Sequence, residues 1–513
     1  MITDATNLWD LVERRAAATP NAVMLREGDR TTTFAEYRDL ALTAAAGMAT
    51  KHGVGEGTVV AWQLPTWTES AVLVAALSRL GAVQNPMLPL YRAKELSFMT
   101  QQLGTQLIIV PTEFRGFNHA GLAQDIAATR PGLSVLIADH EIPQGDPGAL
   151  PTAPVAPEHP EDDPVRWIFY TSGTTADPKG AQHTDRGIIA TSLGYSQRTH
   201  ITEADVALVA FPFTHVGGII IGVMTPLLTG SSAVLMETWT AAASTELIAK
   251  YGITLGNGAP AIHQALLEEA RANPDAYATI RAFPSGGSTK PPTLHADLMA
   301  AVPSCVGITS GYGLTEMPIL SQTDINAPDS SKSDGEGTAQ PGVTIRIIDG
   351  EGKDVAPGTE GELIATGPML MRGYTDPSLN EKAFTADGFF RTGDLARLDE
   401  HGAVLITGRL KDVIIRKGET ISAKEVEDVL FTHPAVADVA VIGLPHPTMG
   451  EMTCAVVAPV AGETLSLEDV VAHCKAQGLM TQKFPERLEL VDLLPRNASG
   501  KVLKHELRAT YGN

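Results

Sequence analysis

Tyr170-Thr171-Ser172-Gly173-Thr174-Thr175-Ala176-Asp177-Pro178-Lys179-Gly180 follows directly on the apolar run Trp167-Ile168-Phe169. The run reads as a buried strand that opens into a loop of hydroxyls and glycines. Such a loop offers backbone N–H groups and short side-chain donors to an anion. Lys179 adds a mobile positive charge. A phosphate cradle accounts for this composition better than a plain flexible loop does. No Gly-Lys-Ser/Thr follows the first glycine at the spacing of a Walker loop, so ordinary P-loop ATPase chemistry is disfavoured.

Upstream of the loop, short apolar runs at 59–64, 107–110 and 135–138 alternate with a helical pattern at 69–80, which Gly81 stops. This alternation predicts parallel, doubly wound sheets. Residues 141–164 hold seven prolines and no periodic pattern, the mark of an extended surface connector. Downstream, strand–helix alternation continues to about residue 320. From 342 to 410 the chain turns Gly-rich, with short strands at 343–348, 361–366, 389–392 and 403–407, as in an antiparallel sheet or small barrel. The last hundred residues read as helix at 423–431, strands at 439–443 and 453–458, and helices at 467–477 and 502–509. The expectation is an α/β protein. Residues 1–410 form a large N-terminal domain of doubly wound sheets plus a small β-barrel, and 411–513 form a smaller α+β domain.

The chain has 513 residues, 38 of them Lys or Arg and 59 Asp or Glu, for a net charge of −21. A surface that negative repels phosphate backbones, so nucleic acid is not an expected partner. Any anionic substrate must meet a local cluster of donors. The hydrophobic and charged fractions, 43% and 19%, are those of globular chains. Cys305, Cys454 and Cys474 share no metal-like spacing and cannot all pair, which points to a reducing compartment. The acids Asp4, Asp10 and Glu13 argue against a signal peptide. The longest apolar stretch, 216–228, is too short for a bilayer span. A cytoplasmic protein is expected; the oligomeric state stays open, a homo-oligomer included.

The loop resembles the signature of the adenylate-forming superfamily of acyl-CoA synthetases, peptide-synthetase adenylation domains and beetle luciferases. Further motifs of that family follow in its order: Gly311-Tyr-Gly-Leu-Thr-Glu316, Gly361-Glu-Leu-Ile, Met371-Arg-Gly-Tyr374, Arg391-Thr-Gly-Asp394, Gly408-Arg-Leu-Lys-Asp412, Lys417-Gly-Glu-Thr-Ile421 and Pro495-Arg-Asn-Ala-Ser-Gly-Lys501. One motif would be weak; the ordered set covers nearly the whole chain.

A carboxylate is a poor electrophile, and its attack on the α-phosphate of ATP brings two anions together. That step needs charge neutralisation and alignment. The resemblance implies that Lys501 bridges the substrate carboxylate and the α-phosphate. It implies that Glu316 holds Mg²⁺, a hard cation suited to oxygen ligands, and that Thr315 bonds the α-phosphate. Thr171, Ser172, Gly173, Thr174, Thr175 and Lys179 would receive the phosphates. Asp394 would accept the ribose hydroxyls, with Arg409 beside it. Tyr312 would stack on adenine between Gly311 and Gly313, with Gly287 and Ser288 at the ring edge. Here the sequence departs from the family, which often has Ala-Pro where Ser288-Thr289 stand. His215 would gate the acyl pocket and move when CoA enters. The hinge position falls on Lys411, about which a mobile C-terminal domain would rotate between adenylation and thioester formation. The CoA channel would pass Lys417 and Gly418.

The acyl pocket is expected among 211–222, 256–263, 285–288 and 308–320, with His215, Gly218, Ile219 and Gly258 on its wall. No aspartate in the 211–222 stretch could hold an α-amino group, so a hydrophobic acid is expected rather than an amino acid. The run from Gly81 to Met99 is similar to cyclohexanecarboxylate–CoA ligases and short-chain fatty acyl-CoA synthetases, which favours a medium-chain or alicyclic acid. The expected function is an ATP-dependent acid–CoA ligase with ATP, Mg²⁺ and coenzyme A. The alternatives are an acyl-AMP ligase loading a carrier protein, a luciferase-like oxidation and a non-catalytic nucleotide-binding protein.

Overall fold

The computed structural model describes residues 1–171, 178–288, 290–291, 293–417, 419–496 and 502–512. The apolar runs become the expected strands. Val59–Trp62, Val83–Pro86, Leu107–Val110 and Ser134–Ile137 pair in parallel, and Trp167–Thr171 joins them beside Val83–Pro86. Leu107–Val110 is Val/Ile/Leu throughout and fully buried, as suits a strand covered on both faces, whereas Ser134–Ile137 at the edge stays partly exposed. Helix Thr68–Leu80 is buried along its whole length and ends at Gly81, whose φ of 70° is the left-handed cap that glycine adopts without penalty.

Past the phosphate loop the chain returns as a strand, Lys179–His183, antiparallel to Trp167–Thr171, with Lys179 opposite Thr171. Gly373–Tyr374 adds the edge strand to this seven-stranded sheet. Helix Asp185–Arg198 starts only afterwards, capped by Thr184. The strands flanking the loop thus run antiparallel, and the next described helix begins only at Asp185.

A second sheet runs in the order Val206–Val209, Ser232–Leu235, Val23–Glu27, Arg30–Thr33. Leu255 bridges Ala207 and Ala282, linking it to a third sheet of Phe283–Gly286, Ile308–Leu314, Met317–Gln322 and Thr338–Ala339. The largest core packs between the first two sheets and their helices, around Trp62, Trp167, Tyr37, Phe34 and Phe213. Helix Phe34–His52 contributes one wall; Thr33 and Glu36 close its N-terminus as a reciprocal capping box.

The Gly-rich stretch folds as a four-stranded antiparallel sheet, Thr344–Ile348, Gly361–Thr366, Phe390–Leu398 and Val404–Arg409. Among the described residues no pairing joins its two edges. The antiparallel sheet is as expected, and its apolar face is covered by Met317 and Leu320, which pack with Leu363 and Val404.

The smaller C-terminal domain has its own sheet. Val436–His446 and Gly450–Pro459 run antiparallel, longer than the sequence pattern predicted, and Arg487–Leu490 pairs in parallel with the latter. Alternate residues face opposite sides. Val439 and Val441 pack under helices Ala423–Leu430 and Leu467–Ala476. Ala440, Ile442 and Leu444 pack against Leu494 and Leu507. No helix among the described residues is long and apolar enough to cross a membrane.

Candidate functional site

The site forms where three of these sheets meet. Its centre is the hairpin Ile308–Leu314/Met317–Gln322, with Thr315 and Glu316 at the turn. A register shift between Tyr312 and Leu314 bulges this hairpin. Gly313 is obligatory at the bulge, because a Cβ there would lie 2.2 Å from the Ile319 nitrogen. Ile319 itself sits at φ 46°, a costly conformation for a β-branched side chain.

Glu316 is buried. The Tyr374 hydroxyl donates to its Oε1 at 2.7 Å, and its Oε2 receives no hydrogen bond from a described residue. Thr315 is fixed from behind: His183 Nε2 donates to its carbonyl at 2.8 Å. His183 is fully buried, and burial pushes its imidazole down to about 4, so it is neutral.

Asp394 joins the nucleotide candidates. Its Oδ2 accepts the Tyr312 hydroxyl at 2.6 Å and its Oδ1 faces Arg409 Nε at 3.0 Å. Arg409 reaches it because the two residues sit opposite each other in the ladder between Phe390–Leu398 and Val404–Arg409. Burial and the Asp394 carboxylate together hold the Tyr312 phenol protonated, far above its ordinary value. Gly287, at φ 89°, and Ser288 end the strand that runs parallel to the one carrying Gly311. The phosphate hairpin contributes Thr171 and Lys179, whose ammonium lies 5.5 Å from the Tyr374 ring centroid. Thus Thr315, Glu316, Tyr312, Gly311, Gly313, Asp394, Arg409, Thr171 and Lys179 converge. Ser172, Gly173, Thr174, Thr175, Gly418 and Lys501 lie outside the described residues.

His215 is half-buried, stacked on Phe211 with ring centroids 5.9 Å apart. Its Nδ1 accepts from the Gly217 N–H at 3.0 Å, so the imidazole caps helix Val216–Ile219. Burial pushes it down to about 4. It lines a cleft of about 260 Å³, open to solvent, with Pro86, Leu88, Tyr91, Phe169, Tyr170, Thr214, Val216 and Thr315. The other residues expected on the acyl wall pack closely. Ile219 is fully buried in the main core. A Cβ on Gly218 would meet the Pro212 carbonyl at 2.1 Å, and one on Gly258 the Ile262 side chain at 2.6 Å. Both glycines permit a close approach that a side chain would block. A five-residue π segment, Ile220–Met224, continues the helix behind His215.

Lys411 lies in a single 3₁₀ turn, Leu410–Asp412, between two strands. Lys417 is exposed, at φ 51°, with its N–H donating to the Met449 carbonyl. Two partners of Thr315 and Glu316 escaped the sequence. His183 carries no motif signal. Tyr374 stands in a quoted motif, but nothing in the motif tells that its hydroxyl meets Glu316.

No group of three or more His, Cys, Asp or Glu able to hold a metal occurs among the described residues. One buried carboxylate beside a phosphate hairpin fits a cation that takes most of its ligands from nucleotide phosphates and water, the habit of Mg²⁺.

Comparison with known proteins shows the family. The family model for AMP-binding enzyme matches residues 12–375, and that for the AMP-binding enzyme C-terminal domain matches 425–501. The chain is 31% identical over 515 residues to the medium-chain fatty-acid–CoA ligase of Escherichia coli, covering 98% of this chain and 90% of that one. It is 30% identical to the salicyl-AMP ligase / salicyl-S-ArCP synthetase of Mycobacterium tuberculosis, covering 100% and 90%. The ATP-bound crystal structure of MatB from Rhodopseudomonas palustris superposes with a TM-score of 0.88 at 28% identity, over 99% of both chains; its apo form gives 0.79. The chain shares the fold of these ligases along its length, and it belongs to the AMP-binding enzyme family as an AMP-forming acid–CoA ligase.

Proposed function

We propose that this ligase activates a hydrophobic monocarboxylic acid, of medium chain length or alicyclic, as its acyl-adenylate and passes the acyl group to coenzyme A, releasing pyrophosphate and then AMP. The observation that carries the acid class is the cleft beside Thr315. No lining residue bears a formal charge, and His215 is neutral by burial. Burying an unpaired second carboxylate or an ammonium there would be costly. The relation to a medium-chain fatty-acid–CoA ligase supports the same class.

Glu316 would hold Mg²⁺ through its free oxygen. The ion, when bound, supplies charge neutralisation to the phosphates. The chain's own groups do the rest. Asp394 and Arg409 fix the ribose end, Tyr312 packs on adenine, and Thr315 and Lys179 orient the phosphates. Lys501 draws the acid carboxylate towards the α-phosphate. His215 closes the acyl side against water until the thiol enters. The unit 411–513 turns about Lys411 between the two half-reactions, and Lys417 and Gly418 border the pantetheine path.

A panel of acids with ATP, Mg²⁺ and CoA, read as AMP release, tests this. Medium-chain and alicyclic acids should exceed amino acids and dicarboxylic acids by at least about tenfold in kcat/KM, the effect of 1.4 kcal/mol. A preference for a dicarboxylate would refute the assignment. The full-length match to a salicyl-AMP ligase favours one second reading, transfer to a carrier protein. Adenylate formation without CoA turnover, and with turnover on a phosphopantetheinylated carrier, would establish it.

A further inference from the structure

We propose that Tyr374 is a positioning residue for the metal-binding carboxylate: its hydroxyl claims one oxygen of Glu316, so the other is the one turned to the cation, while its ring faces the ammonium of Lys179. The proposal rests on the reading of Glu316 as the Mg²⁺ ligand.

Three observations carry it. First, the Tyr374 hydroxyl donates to Glu316 Oε1 at 2.7 Å, in a setting where both side chains are buried. Hydrogen bonds to charged groups in such settings are short and strong. Oε2 has no partner among the described residues. A carboxylate with one oxygen so held cannot rotate freely, and it offers a single oxygen in a fixed direction. This is how outer partners orient metal ligands.

Second, the ring is immobilised. It packs with Ala181, Met371 and Phe390. The backbone on either side is pinned to the strand leaving the phosphate hairpin. Gln182 Nε2 donates to the Tyr374 carbonyl at 3.0 Å, and the Thr375 N–H donates to the Gly180 carbonyl at 2.8 Å. The Tyr374 N–H donates to Asn380 Oδ1 at 2.9 Å, and Gly373, at φ 132°, leaves room for that amide, which a Cβ would approach to 2.9 Å. The Met371 N–H also donates to the Glu316 carbonyl at 2.9 Å, so one short segment grips the acid by backbone and side chain.

Third, Lys179 Nζ stands 5.5 Å from the ring centroid. A cation over an aromatic face gains modest attraction. The same side chain thus meets the ammonium with its ring and the carboxylate with its hydroxyl.

The test is calorimetric binding of ATP with and without Mg²⁺ to the full chain, comparing wild type, Tyr374→Phe and Glu316→Gln. The Mg²⁺ dependence of acid-driven pyrophosphate exchange is measured alongside. Wild type should bind ATP more tightly with the metal. Tyr374→Phe should keep the metal-free ATP affinity, lose about tenfold in the Mg²⁺-dependent gain, and need correspondingly more Mg²⁺ for half-maximal exchange. Tyr374→Leu, which removes the ring as well, should also weaken metal-free ATP binding. If Tyr374→Phe matches wild type while Glu316→Gln loses the gain, the proposal falls and the metal-ligand reading stands. If Glu316→Gln also keeps the gain, both fall. Loss of metal-free ATP binding in Tyr374→Phe would make the hydroxyl a support of the whole phosphate strand and overturn the proposal too.

Discussion

Tyr312 and Tyr374 divide the polar work of the site. Each puts a phenol on a buried carboxylate, Asp394 and Glu316 respectively. Neither carboxylate is left bare in low dielectric, where an unpaired charge is costly. Ile319, in the hairpin that carries Tyr312 and Glu316, and Lys417 both hold positive φ. A non-glycine residue in that region costs roughly 1–2 kcal/mol, and glycine escapes it at some entropic cost. Lys417→Gly should therefore stabilise the chain by up to about 1 kcal/mol, seen as a higher urea midpoint at constant slope. An unchanged or lower midpoint would show that the lysine side chain or the Met449 contact outweighs the strain. Why a lysine occupies this position is then a matter of what it contacts, since backbone preference alone selects glycine.

The elements show how connector and helix are fitted to each other. The proline-rich segment 141–164 stays mostly exposed, as its composition predicts, with short 3₁₀ turns at Pro147–Ala149 and Pro160–Asp162. Yet it is docked. The Gly145 N–H donates to the Thr43 carbonyl at 2.9 Å, and Arg79 reaches the Pro151 carbonyl at 2.6 Å. Gly47 of helix Phe34–His52 makes the approach possible, since a Cβ there would lie 2.2 Å from the Pro143 oxygen. Gly47→Ala should lift the connector at a cost of about 1–3 kcal/mol, the usual range for overpacking. Limited proteolysis should then cut within 141–164 faster than in wild type. Equal cleavage rates would mean that the helix shifts instead. A glycine inside a long helix is legible in sequence as an anomaly; what it faces is not.

At the scale of the whole molecule, three histidines, His119, His183 and His263, are fully buried, and burial pushes each down to about 4. Unfolded histidine titrates near 6.5. The folded value lies below the unfolded one, so the unfolded chain binds the extra protons. Stability is fully present above pH 6.5 and is lost as pH falls towards 4. Each histidine contributes up to about 1.4 kcal/mol per pH unit in that window. Asp185, Glu336 and Glu427, raised by burial, act in the opposite sense. The urea midpoint should therefore drop between pH 7 and pH 5, and His263→Asn should show a shallower drop than wild type; a parallel one would remove His263 from this linkage.

By itself the sequence determined the α/β class, the phosphate loop, the order of the motifs and the hydrophobic periodicity of each sheet, because these are properties of short stretches of backbone and of which face each residue turns inward. Only the tertiary structure decided which strands neighbour one another in the Gly-rich sheet, that Lys179–His183 returns as a strand, how closely the chain packs at Gly218 and Gly258, and that Tyr374 meets Glu316 across 58 residues. The reason is physical: such contacts depend on the order in which strands are laid side by side, and that order is set by the burial of the whole chain at once.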